Sequence, residues 1–154
     1  MDIKANLIAV KKSFLNQECT LVAVSKTKPI ENLKEAYESG IRDFGENKVQ
    51  ELQWKQPEMP DDTRWHMIGH LQRNKVKYIA PFIHLIHGVD SFKLLKEINK
   101  QGKRIERKIS ILLQIHIAEE ESKFGFDHAE LKEMFQSEEF HQLTHITIKG
   151  LMGM

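Results

Sequence analysis

The segment from Ile109 to Ile117 reads ISILLQIHI. Ile109, Ile111, Leu113, Ile115 and Ile117 alternate with Ser110, Leu112, Gln114 and His116. A period of two sends the two sets to opposite faces of a β-strand. One face is then wholly apolar and the other mixed. A central strand of an open, doubly wound sheet is covered on both sides and tends to be apolar on both. A barrel strand packs its outer face on helices and can carry polar groups inward near the mouth. The pattern therefore favours a barrel.

The rest of the chain supplies the other elements. Ile3, Leu7, Val10 and Phe14 have helical spacing, and residues 20–25 read as a first strand. A helix follows with Pro29 in its first turn and Gly40 just past its end. IRDFGE (41–46) is a short strand and NKVQELQW a helix. RWHMIG (64–69) is a strand, LQRNKVKYIA a short helix stopped by Pro81, and FIHLIHGV a strand from residue 82. Asp90 or Ser91 caps a helix ending at Gly102. Asp127 and Glu130 form a D-x-x-E cap for a helix whose core face is Leu131, Met134 and Phe135. THITIKGLMGM is a sixth strand. Alternating β and α units imply a parallel sheet. A complete (β/α)8 TIM barrel needs eight strands and about 250 residues. The expectation is thus that residues 1–154 are the N-terminal part of a single barrel domain, giving its first six strands.

Charge narrows the function classes. Lys+Arg is 23 against Asp+Glu 22, so no basic surface for nucleic acid or membrane is indicated. No run approaches the roughly 20 apolar residues of a membrane span. Cys19 is the single cysteine, so an internal disulfide is excluded; it reads as structural. A cytoplasmic protein fits. His66 and His70 lie four apart on a strand end rather than a helix, and no H-E-x-x-H occurs, so no metal is expected. His84 and His87 read as packing or surface residues.

Ligands of parallel β/α folds bind at the C-terminal ends of the strands. The first strand ends VAVSKTKP (22–29). Lys26 shares the parity of Val22 and Val24. If the valines face the barrel interior, Lys26 points into its mouth, partly desolvated and beside Lys28. Both influences depress an amine's pKa and favour its free form. A free amine condenses with an aldehyde. An ordinary loop lysine is the alternative.

Four stretches then carry a family resemblance: LVAVSKTKP (21–29), FGENKVQEL (44–52), WHMIGHLQRNK (65–75) and QIHIAEEESKFGF (114–126). In sequence, order and spacing the chain resembles the pyridoxal phosphate homeostasis (YggS/PROSC) family, whose barrel is of the alanine racemase N-terminal type, the fold-type III of pyridoxal-phosphate proteins. The resemblance implies that Lys26 forms a Schiff base with pyridoxal 5′-phosphate. It implies that Asn47, Ile68 and Met152 line the cofactor pocket, and that Lys28 and Lys123 stand near it. His116 departs from the asparagine of many relatives. The family continues past the position of Met154 with two more strands, which carry the turns for the cofactor phosphate.

The implied function is vitamin B6 homeostasis: a monomeric carrier that buffers the cofactor or delivers it to dependent apoenzymes, and no enzyme. The alternative is a racemase or decarboxylase of the same fold. Such racemases use a second acid/base, commonly a tyrosine, opposite the lysine. The tyrosines here, Tyr37 and Tyr78, fall in helical segments rather than at strand tips.

Overall fold

The computed structural model describes residues 2–16, 18–117 and 124–153. Its strands are β1 (Ala23–Val24), β2 (Asp43–Glu46), β3 (Arg64–Met67), β4 (Leu85–Val89), β5 (Ile109–Ile115) and β6 (Ile146–Gly153). The helices are α1 (Ile3–Lys12), α2 (Ile30–Glu38), α3 (Val49–Lys55), α4 (Val76–Ile79), α5 (Phe92–Arg104), α6 (His128–Gln136) and α7 (Glu138–His141). The strands form one parallel sheet in chain order, β1 to β6. Sequential order is the arrangement of strands around a β/α barrel.

Register separates the two faces of the sheet. Phe44 pairs with Trp65, Met67 with Ile86 and Ile86 with Ile111. These side chains, with Ile109 and Leu113, are buried among Leu33, Leu52, Ile79, Leu94, Leu95 and Ile98 of the helices. This is the outer, helix-covered face. Each buried aliphatic side chain contributes about 1.5–3 kcal/mol relative to exposure, so the apolar set of β5 settles which way that strand faces. The inner face carries Val24, Gly45, His66 and Leu85 in one register row, and Ser110 beside Thr147 further round.

Helix ends follow the expected chemistry. Gly40 has φ +93° after α2, a left-handed conformation that suits glycine. Ser91 rather than Asp90 caps α5, accepting from Leu94 N–H. Asp127 and Glu130 form a reciprocal capping box.

Three elements and two side chains differ from the sequence reading. β1 is two residues long; it is an edge strand, pairing among the described residues only with β2. β4 begins at Leu85, because Phe82 and Ile83 turn back on Ile79 by hydrogen bonds. α5 runs through Gly102, where a Cβ would stand 2.7 Å from the Arg107 carbonyl, so that glycine serves close packing rather than termination. Phe135 is 41% exposed, outside the core, and packs edge-on against Phe140. Cys19 is exposed rather than structural.

Candidate functional site at the strand tips

The turn after β1 is held by a buried charge cluster. The Ser25 N–H donates to the Gly45 carbonyl at 3.0 Å, extending the β1–β2 ladder by one residue. Alternation then sends the Ser25 side chain to the helix face, opposite to that of Val24. The Ser25 hydroxyl indeed donates outward, to Glu46 Oε1 at 2.6 Å. Lys28 N–H closes the turn onto the Ser25 carbonyl at 3.1 Å. Between them Thr27 has φ +61°, a left-handed conformation that costs a non-glycine residue about 1–2 kcal/mol.

α3 supplies what holds this turn. Lys55 is fully buried; its ammonium donates to the Ser25 carbonyl at 2.8 Å and to Glu46 Oε1 at 2.7 Å. Glu51 lies 3.7 Å from the same ammonium and accepts from the Thr27 N–H at 2.9 Å. Burial pushes the Glu46 carboxyl up, against the downward pull of its bonds from Lys55 and Ser25. Burial also raises Glu51, but its hydrogen bond with Glu46, the Thr27 N–H and the Lys55 charge outweigh this and hold it below its ordinary range. The two carboxyls are thus driven apart, Glu46 toward its neutral form and Glu51 toward its charged one. Glu46 Oε2 is buried without a hydrogen-bond partner among the described residues.

The inner side of the mouth is mostly apolar. A Cβ on Gly45 would stand 3.0 Å from Ile68 Cδ1 and 3.2 Å from Val22 Cγ1, so these two side chains close over the bare glycine. A Cβ on Gly69 would fall 2.5 Å from the Asn47 carbonyl oxygen, and one on Gly88 3.1 Å from that of Gly69. The ends of β2, β3 and β4 thus approach backbone to backbone. Asn47 lines a cleft of about 520 Å3 with Lys48, His70, Gln72 and Lys75; Lys26 and Ile68 do not line it.

The expected site residues are brought together in part. Lys26, Asn47 and Ile68 stand at the adjacent tips of β1, β2 and β3. Met152 lies at the opposite edge of the sheet, paired with Gln114. A shift of register between Ile111 and Leu112 brings Gly150 opposite Leu112 and skips Lys149. Lys26 is exposed rather than partly desolvated, because β1 is an edge strand. Lys28 has passed through the turn and lines a groove with Ile3, Leu7 and Leu33 of the helices. Lys123 lies outside the described residues. Sequence reading missed Glu51 and Lys55 entirely.

A second cluster sits inward on the same strands. Arg64 donates from Nε to Asp43 Oδ1 at 2.8 Å and from its terminal nitrogen to Oδ2. His66 Nε2 is 3.0 Å from Asp43 Oδ1, and its Nδ1 is 2.9 Å from His87 Nε2. The network assigns a proton to His66 Nε2 and another to His87 Nε2. Burial raises Asp43, but the bonds from Arg64 and His66 outweigh it and hold the carboxyl below its ordinary range. Burial lowers His66 against the pull of Asp43, and burial with the His66 charge pushes His87 down to about 4. Asp43, His66 and His84 offer ligand atoms within 4.8 Å of one another. Arg64 already neutralises Asp43, and His66 uses both ring nitrogens, so the hydrogen-bond network is complete without a cation.

A sequential parallel β/α sheet, its strand ends gathered at one mouth, defines the class: a β/α-barrel protein. The alanine racemase N-terminal domain family matches residues 2–154, and the chain belongs to that family. It is 37% identical over 134 residues to the pyridoxal phosphate homeostasis protein of Pseudomonas aeruginosa, covering 86% of this chain and 57% of that one. It thus spans less than two thirds of that relative. PipY of Synechococcus elongatus, solved with PLP bound, superposes with a TM-score of 0.88 at 34% identity, covering 99% of this chain and 70% of PipY. Alanine racemase of Clostridium difficile superposes at 0.78 with 15% identity, covering 99% and 40% of the two chains, a likeness of fold alone. Among the described residues no helix is long and apolar enough to cross a membrane.

Proposed function

We propose that this chain binds pyridoxal 5′-phosphate through Lys26 and serves in homeostasis of that cofactor, as a carrier rather than an enzyme. One observation carries the reading. Lys26 sits in the turn after β1, between a Ser25 carbonyl held by Lys55 and a Thr27 N–H held by Glu51, at the same end of the sheet as Val22 and Ile68, which close over Gly45. When bound, pyridoxal phosphate supplies an aldehyde that condenses reversibly with a free amine. The residues present fit its ring and aldehyde end. Gly45 keeps the wall flat, Ile68 and Val22 exclude water from one side, and Asn47 offers polar contacts at the next strand tip. Met152, on β6 at the other edge of the sheet, is proposed as a further lining residue. Lys28 and Lys123 are proposed as neighbouring amines.

The carrier reading is supported by what surrounds the tyrosines. Tyr37 is on α2 and donates to Asp62 at 2.6 Å, and Tyr78 is on α4, 46% exposed. Both belong to the helix layer, away from the inner face where a second acid/base would act. PipY, named with PLP bound, and the relatives named for homeostasis support the same reading. The proposed setting is the cytoplasm, the proposed state a monomer, and the proposed recipients are dependent apoenzymes.

The test is direct. Addition of pyridoxal phosphate to the chain is expected to give visible absorbance, and borohydride to fix the label on Lys26. Lys26→Ala abolishes it. Label persisting at the same yield in that variant overturns the assignment, and racemisation of alanine overturns the carrier role.

A further inference from the structure

The residues flanking Lys26 answer to one helix. On its N-terminal side the Ser25 carbonyl accepts from the buried Lys55 ammonium. On its C-terminal side the Thr27 N–H, at the left-handed residue of the turn, donates to Glu51. Lys55 and Glu51 are one helical turn apart on α3 and 3.7 Å from each other. No part of the Lys26 side chain takes part in these bonds. Left-handed non-glycine backbone persists only where its surroundings over-determine it, and here two side chains of α3 do so.

We propose that Glu51 and Lys55 are positioning residues for Lys26: together they fix the Ser25–Lys28 turn so that the amine of Lys26, and not that of Lys28, is presented at the barrel mouth. The proposal rests on the reading of Lys26 as the cofactor-binding amine and adds a cause for its selection over a lysine two residues away. Lys28 lies beyond the pinned peptide and lines the groove under α1 and α2. With the Thr27 contact gone, the turn can relax out of its left-handed conformation, and the two lysines become equivalent exposed amines.

Glu51→Ala removes the acceptor at Thr27, Glu51→Gln keeps an oxygen there, and Lys55→Met removes the ammonium at Ser25. Two readouts are made on the 154-residue chain. The first is amide hydrogen exchange at Thr27 and Lys28, which needs no cofactor. The second is the ratio of Lys26 to Lys28 labelling after pyridoxal phosphate and borohydride, read by peptide mass spectrometry. In Glu51→Ala, exchange at both amides is expected to quicken about tenfold and the labelling ratio to fall about tenfold toward parity. Glu51→Gln restores both to within about twofold. Lys55→Met behaves as Glu51→Ala or more severely; should it fail to fold, Glu51→Ala decides. Unchanged exchange in a folded Glu51→Ala chain overturns the positioning role, as does an unchanged ratio. Absence of Lys26 label in the unsubstituted chain instead overturns the cofactor reading, and the exchange arm still decides whether α3 holds the turn.

Discussion

β2 carries two buried carboxylates three residues apart, and they behave in opposite ways. Asp43 faces inward near the start of the strand; Glu46 faces outward at its end, beneath α3. Burial opposes ionisation at both. Asp43 meets a guanidinium in a two-pronged contact and an imidazole, and stays charged below its ordinary range. Glu46 shares a single ammonium with Glu51, and burial prevails. Two carboxylates face one cation, and burial shifts Glu46 toward its neutral form. Buried charge is favoured here where donors match acceptors, and is disfavoured where they do not.

The largest way to break this contrast is Lys55→Met. It strips the outward cluster of its cation, and breaking a buried pair of this kind costs about 3–5 kcal/mol, to be read from urea unfolding. Next comes acid. His87 titrates near 4 when folded and near 6.5 otherwise, so its stabilising neutrality is complete above pH 6.5 and lost as pH falls toward 4. The loss approaches about 3 kcal/mol. His66, also lowered, adds in the same direction. His87→Gln is expected to flatten the slope between pH 6.5 and 4. Glu46 slopes the other way: its raised pKa makes stability fall as pH rises through that value.

A smaller effect tests the mouth itself. Gly69→Ala places a Cβ against the Asn47 backbone, which must shift, and forced shifts in packed sites cost about 1–3 kcal/mol. Thermal melting checks it. Smallest is Arg64→Met at the inward cluster. The Arg64 side chain is 46% exposed, so solvent screens the pair and the cost is about 1 kcal/mol. A loss as large as that of Lys55→Met would show that the two clusters do not differ as described.

The order of strands was legible because apolar alternation and helical spacing take turns along the whole chain. The facing of β5 was legible for the same reason. Element ends were less so: β1 looks like six strand residues in sequence, yet only Ala23 and Val24 pair in register with β2, and Ser25 adds one further bond before the turn. Lys26, Asn47 and Ile68 could be gathered from strand-end logic and resemblance. Glu51 and Lys55 could not, because a Glu–Lys pair at i, i+4 on a helix reads as a solvated surface pair. A signal was present nonetheless. Val49, Leu52 and Lys55 fall at i, i+3 and i+6, so Lys55 continues the buried face, while Trp54, the more apolar residue, is 47% exposed. The Asp43–His66–His87 chain left no local trace, since its members come from three strands and meet only through register.

The skipped residue in β6 has a consequence for comparing such chains by position. Facing in a strand alternates strictly, so removing the irregularity at Lys149 would put Leu151 opposite Gln114 and send Met152 to the helix side. The bulge acts as a counter that offsets sequence number from place in the barrel by one. An alignment that closed that single-residue step would match every letter downstream and still assign the wrong side chain to the mouth.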